Sequence, residues 1–195
     1  MGSQPGRAIS PARWQALQVV FDVLENQAYA NLALDKSLRN SALSSQERRQ
    51  VTEMVNGTVR MLGHLDWVLN SFANKGMEQQ HPWLRNILRL SLYQILFMDG
   101  VPDYACVNDA VELTRKKVSP RMASVTNAVL RNILRQRDRL SYPQSEGEYL
   151  SVFYSHPPWL VDRFLQLFGV RTTREILDYN NRRPRWTVRV NSLLT

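Results

Sequence analysis

The stretch PWLRNILRLSLYQILFMDGVP, residues 82–102, decides the fold. Pro82 suits the first position of a helix. Leu84, Ile87, Leu88, Ser91, Leu92, Ile95 and Leu96 then recur at spacings of three and four, the period of one helix face. Leu90, Tyr93 and Phe97 widen that surface until little of it is left for water, which predicts a central helix nearly surrounded by others. Asp99-Gly100 and Pro102 end it. Arg85 and Arg89, four residues apart in this apolar run, must find an opening to solvent or a partner.

Helices are expected on both sides of it. Ser10 and Pro11 open one whose apolar residues are Trp14, Leu17, Val20, Phe21 and Leu24, and a shorter one runs from Leu32 to Leu38. Ser44-Ser45-Gln46-Glu47 is a capping box, followed by Val51, Val55, Val59 and Leu62 on one face. Gly57 lies inside this helix, where it costs about 1 kcal/mol against alanine; a close helix crossing explains it. Gly63 is expected to break the helix, and Leu65, Val68, Leu69 and Phe72 form the next stripe. Asn74-Lys75-Gly76 is a turn. Beyond the central helix, Asp103 to Val118 reads as a helix with Val107, Ala110, Val111 and Thr114 inside. Ser119-Pro120 caps another, with Val125, Val129 and Ile133 inside. Joints this short imply a compact antiparallel bundle, so the fold class is all-α.

Composition changes near residue 139. Residues 1–10 read as a flexible N-terminus or tag remnant, 11–140 as the bundle, 141–155 as a linker and 156–195 as the start of a second domain. In that domain Pro158 opens an amphipathic helix stopped by Gly169. Thr172-x-x-Glu175 is a second capping box leading a short helix through Tyr179. Trp186, Val188 and Val190 then alternate with Thr187, Arg189 and Asn191, the period of a strand. A lone strand needs a sheet, so the chain is expected to stop inside an incomplete α+β domain of two short helices and one strand.

Lys and Arg number 25 against 17 Asp and Glu, a net charge of +8. This points to an acidic partner such as nucleic acid, or to a merely solubilising excess. Cys106 is the sole cysteine, which excludes an internal disulfide and suits a reducing, cytoplasmic compartment. His64, His81 and His156 share no ligand spacing with it, so no metal site is expected. No apolar run approaches a membrane span.

From Arg115 to Arg137 there are seven basic residues and no acid: Arg115, Lys116, Lys117, Arg121, Arg131, Arg135 and Arg137. Grouped cations neutralise phosphates and release counterions, and arginine adds forked hydrogen bonds to phosphate oxygens. The bland alternative is a solvated helix surface on which Lys116 and Lys117 complement a helix C-terminus. Arg182, Arg183 and Arg185, behind Asn180 and Asn181, form a second cluster, either an RNA contact or an exposed turn.

Nothing assembles into a catalytic site. Cys106 reads as a small buried hydrophobe. Ser155-His156, followed by Pro157-Pro158, reads as a structural corner rather than nucleophile and base. Asp103 is a cap candidate; Asp109 and Glu112 read as solvated charges. The glycines are dispersed, with no phosphate-cradling loop.

Val55-Asn56-Gly57-Thr58-Val59-Arg60, Leu65-Asp66-Trp67, Leu88-Arg89-Leu90-Ser91-Leu92-Tyr93-Gln94, Val101-Pro102, Asn108-Asp109-Ala110-Val111-Glu112 and Thr126-Asn127-Ala128-Val129-Leu130-Arg131-Asn132 together resemble the NusB antitermination-factor bundle. A free-standing NusB protein ends with that bundle. Here Ser155-His156-Pro157-Pro158-Trp159-Leu160-Val161, Asn180-Asn181-Arg182-Arg183-Pro184 and Val188-Arg189-Val190-Asn191 follow. These resemble the N-terminal part of bacterial ribosomal-RNA cytosine-5 methyltransferases of the Sun/Fmu (RsmB-like) type. The resemblance implies an RNA-binding domain recognising small-subunit ribosomal RNA. It implies S-adenosylmethionine as the cofactor of the full-length enzyme, held on a missing C-terminal methyltransferase domain with two catalytic cysteines. No catalytic, cofactor or metal residue is carried over to this chain, because Cys106 lacks the Pro-Cys setting of those cysteines. The other resemblance implies an antitermination or protein-interaction module that binds RNA together with a ribosomal protein.

Overall fold

The computed structural model describes residues 9–39, 41–73, 75–183 and 188–190. Their elements are α1 (Pro11–Glu25), α2 (Ala30–Arg39), α3 (Ser45–Arg60), α4 (Leu62–Phe72), α5 (Pro82–Phe97), α6 (Asp103–Lys117), α7 (Pro120–Gln136), α8 (Glu146–Phe153) and α9 (Pro158–Asn181). Short 3-10 turns lie at Met77–Gln79 and Arg137–Arg139. Helices are the only regular elements among the described residues, as the all-α expectation required.

The central helix is α5. Eleven of its 16 residues are buried, and α1, α3, α4, α6 and α7 all pack on it. A helix enclosed on every side must also bury its polar residues, and these have to be paired. Arg85 and Arg89 find acids rather than an opening. Arg89 grips Asp66 of α4 with a two-pronged bond, Nε to Oδ1 and Nη2 to Oδ2, both 2.7 Å. Its Nη1 donates to Asn86 Oδ1 at 3.1 Å. Asn86 donates to Glu25 Oε1 at 2.6 Å, and Arg85 Nε donates to the same oxygen at 2.7 Å. The Arg85 hydrogen bonds hold the Glu25 carboxyl below its ordinary pKa against the opposing effect of burial. One polar chain thus links α4, α5 and the end of α1.

A further arginine, half-buried, has no signal in its spacing. Arg13 on α1 pairs with Asp109 on α6, donates from Nε to Gln94 Oε1 at 2.7 Å and from Nη1 to the Ala105 carbonyl at 3.2 Å. Asp109 is 8% exposed. It is therefore not a solvated charge, because a carboxylate in the α1–α5–α6 seam needs this partner. Glu112 instead pairs with Arg115. Asp103 sits inside the first turn of α6 behind Pro102, and pairs with Arg137 at 3.2 Å.

The Ser44 box closes as expected, with the Ser44 amide donating to Glu47 Oε2 at 2.9 Å and the Glu47 amide donating to Ser44 Oγ at 3.3 Å. At Gly57 the Tyr93 phenol of α5 occupies the space a Cβ would take; this is the close crossing. Gly63 does not break the helix. The break falls at Met61, and Gly63 lies in α4, where its amide donates to Ser155 Oγ at 3.0 Å. On α7 the inner residues are Ala123, Thr126, Leu130 and Ile133. Ile133 is buried as expected, but Val125 is 42% exposed and Val129 only half-buried, so the seam runs one step off Val125 and Val129. Thr126 sets it, because its hydroxyl lies 3.0 Å from the Thr114 hydroxyl of α6.

The stretch read as a linker carries α8, capped by Ser145. Tyr142 just before it stacks on Trp67 of α4 at 4.8 Å. Leu150 of α8 joins Val161 and Leu177 of α9 in a small second core. Gly169, with φ 71° and ψ 175°, interrupts α9, so the helix opened by Pro158 stops there and a second one follows, as the sequence suggested. Glu175 accepts from Arg171 at 3.3 Å in place of the capping box expected with Thr172. Val188 and Val190 are 84% and 73% exposed and lie in no strand. Trp186, Thr187 and Asn191 of that expected strand fall outside the described residues, as do residues 1–8 of the expected flexible terminus.

Candidate nucleic-acid interface

The acid-free stretch occupies the last turn of α6, the joint and the whole of α7. Its shape follows from local chemistry. Val118 ends α6, Ser119 Oγ accepts from the Met122 amide at 3.2 Å, and Pro120 takes the first helical turn. The chain therefore reverses within two residues and sets α7 against α6.

Arg115, Lys116, Lys117, Arg121, Arg131, Arg135 and Arg137 are all exposed, but they are not equivalent. Arg115 is tied to Glu112 and Arg137 to Asp103. Lys117 lies over the Trp14 and Trp83 rings, with Nζ 4.4 and 4.7 Å from their centroids. Trp83 in turn stacks on Phe21 at 4.0 Å. A cation over two indoles is partly committed to the fold. Lys116, Arg121, Arg131 and Arg135 have no acidic partner among the described residues. Arg131 Nε donates to Asn127 Oδ1 at 2.9 Å and Arg135 Nη2 to Asn132 Oδ1 at 3.4 Å. The two guanidinium groups stand one helical turn apart, oriented by amides that leave their charge uncompensated. Arg121 sits on the rim of a groove of about 770 Å3 between α7 and the α4–α5 side, with Lys75, Val125 and Asn132 among its lining residues.

The second cluster lies at the end of α9. Arg182 pairs with Asp178, and Arg183 with Glu53 of α3 at 2.6 Å; Arg185 falls outside the described residues. Arg183 and Arg137 nevertheless line one cleft, so the two basic clusters, far apart in sequence, approach each other.

The other candidate groups are structural. Burial pushes the Cys106 thiol up to about 11, which keeps it protonated and inert. Ser155, at φ 55°, holds the Gly63 amide. His156 Nδ1 lies 2.7 Å from the Tyr154 carbonyl. This is the corner the sequence suggested. Among the described residues no cluster of His, Cys, Asp or Glu fits a metal ion, and no helix is long and apolar enough to cross a membrane.

Residues 10–135 match the NusB family. The chain belongs to the NusB family. Residues 156–195 match a second family, the ferredoxin-like domain described as methyltransferase RsmF/B-like. The NusB match is thus followed in the same chain by a second, separate family match. The "Probable ribosomal RNA small subunit methyltransferase B" of Bacillus subtilis (strain 168) is 35% identical over 182 residues, 91% of this chain and 40% of the relative. The chain therefore spans about 40% of the length of that relative. Among solved structures, one described as PH0851 shares the fold at a TM-score of 0.70 and 20% identity, over 92% of this chain and 40% of its own. The antitermination factors NusB and NusE in complex with dsRNA match at a TM-score of 0.59 and 18% identity, over 64% of this chain and 93% of the other.

Proposed function

We propose that the NusB bundle binds small-subunit ribosomal RNA through the α6–α7 face, as the RNA-recognising N-terminal region of an S-adenosylmethionine-dependent cytosine-5 methyltransferase working in the cytoplasm. The observation that carries this reading is the set of exposed cations Lys116, Arg121, Arg131 and Arg135, which have no acidic partner among the described residues. Exposed cations of this kind contribute little to folding but bind phosphates strongly. The similarity to ribosomal-RNA methyltransferases supplies the RNA class. The cofactor belongs to the methyltransferase part of such enzymes and needs no residue of this bundle.

Replacing Arg131 and Arg135 together with alanine is expected to weaken binding to a small-subunit ribosomal-RNA fragment about tenfold, with no loss of thermal stability. Unchanged affinity would move the interface to another face. The groove beside Arg121, with exposed Val125 on its wall, favours a second reading in which a protein such as a ribosomal protein docks beside the RNA. Capture of such a protein by nuclease-treated bundle distinguishes it.

A further inference from the structure

The cleft shared by Arg137 and Arg183 lies between the bundle and the C-terminal helices. Its volume is about 540 Å3, within the roughly 300–1,000 Å3 of small-ligand sites. Its floor is His64, 4% exposed, whose ring lies against the Val152 and Phe153 backbone and whose Nδ1 has no well-formed hydrogen bond among the described residues. Arg60, the last residue of α3 on the other side of the Met61 break, has its Nε–H buried and equally without a partner among the described residues. Buried polar atoms left without a partner are rare in a folded protein, and here two of them line one cleft. Its walls carry two phenyl rings that the fold leaves in contact with water, Phe97 at 41% and Phe153 at 37% exposure. Both meet the His64 ring edge-on, at 5.5 and 6.0 Å. Arg137, just past the end of α7 and paired with Asp103, and Arg183, paired with Glu53, stand at the same cleft.

We infer that this cleft holds one unstacked base of single-stranded RNA, between the Phe97 and Phe153 walls and with its edge at Arg60 and His64. The inference rests on the RNA reading above. Phosphates held by Arg131 and Arg135 bring the strand to the C-terminal end of α7, beside which the cleft opens. Aromatic walls accept the flat face of any base. Arg60 offers a hydrogen-bond donor to the base edge, and the His64 nitrogen donates or accepts according to its tautomer. A continuous duplex keeps its bases stacked and cannot present a face to either ring.

The test compares a short single-stranded RNA with a blunt duplex of the same length, on the chain as it stands. Phe153→Leu and Phe97→Leu, on different helices, are made separately, and each is checked for an unchanged melting temperature. Each should weaken single-strand binding about tenfold and leave duplex binding where it was. The His64 ring resonances should move on adding the single strand and stay still with the duplex. Equal losses for both RNAs, no loss in either variant, or a silent His64 would overturn the cleft while the α6–α7 interface stands. A chain that binds neither RNA would overturn both.

Discussion

Replacing Asp66 with alanine is expected to destabilise the protein by about 3 kcal/mol, the lower end of the cost of breaking a buried ion pair. The reason is what stays behind. The Arg89 side chain is 10% exposed and Asp66 26%, so removing the carboxylate leaves a guanidinium in the centre of the bundle with only Asn86 as a side-chain partner. The lower end applies because Asp66 keeps some access to water. Asn86 is also the link to Glu25 and Arg85, so the strain spreads from α4 through α5 to α1. Urea unfolding of Asp66→Ala, Arg89→Met and the double variant separates the pair from its surroundings. The double variant should be more stable than Asp66→Ala alone, since it removes the orphaned charge. A loss under 1 kcal/mol in Asp66→Ala would show the pair behaving as a surface salt bridge.

Gly57→Ala is expected to destabilise by about 2–3 kcal/mol, against the sign of helix propensity, by which alanine gains about 1 kcal/mol over glycine. A Cβ there would fall inside the Tyr93 ring. That ring is held by its neighbours. It is 2% exposed, stacks on Phe97 at 5.5 Å and donates from its hydroxyl to Glu53 Oε1 at 2.6 Å. α3 and α5 must separate or Tyr93 must leave its rotamer. Thermal unfolding measures the loss. Combining Gly57→Ala with Tyr93→Leu should cost less than the two singles added. A neutral or stabilising Gly57→Ala would mean that the crossing yields.

The bundle was legible because its signals are local. The apolar period of residues 82–97, the Ser44 box and the glycine inside α3 each state a physical requirement that needs no knowledge of distant residues. What failed depended on distant residues. Val125 looks like core from its spacing, but the Thr114–Thr126 contact between helices turns α7 by one step. Asp109 looks like a surface acid until Arg13, 96 residues away, is placed beside it. Residues 141–155 have linker composition, yet Tyr142 and Leu150 find apolar surface on α4 and α9. For the site, the acid-free stretch was visible as a run of charge, but not which of its members are spent on the fold. Lys117 is committed to two indoles, a fact that only the packing of α1 and α5 against α6 supplies, and Arg115 to Glu112 one turn back on its own helix. The cleft at His64 had no sequence signal, because Arg60, His64, Phe97 and Phe153 come from four helices or their ends.

The most direct test of the account is the salt dependence of binding to a small-subunit ribosomal-RNA fragment. With Lys116, Arg121, Arg131 and Arg135 each engaging a phosphate, the logarithm of the affinity should fall with the logarithm of salt concentration at a slope of roughly −3 to −4. An affinity indifferent to salt would contradict it.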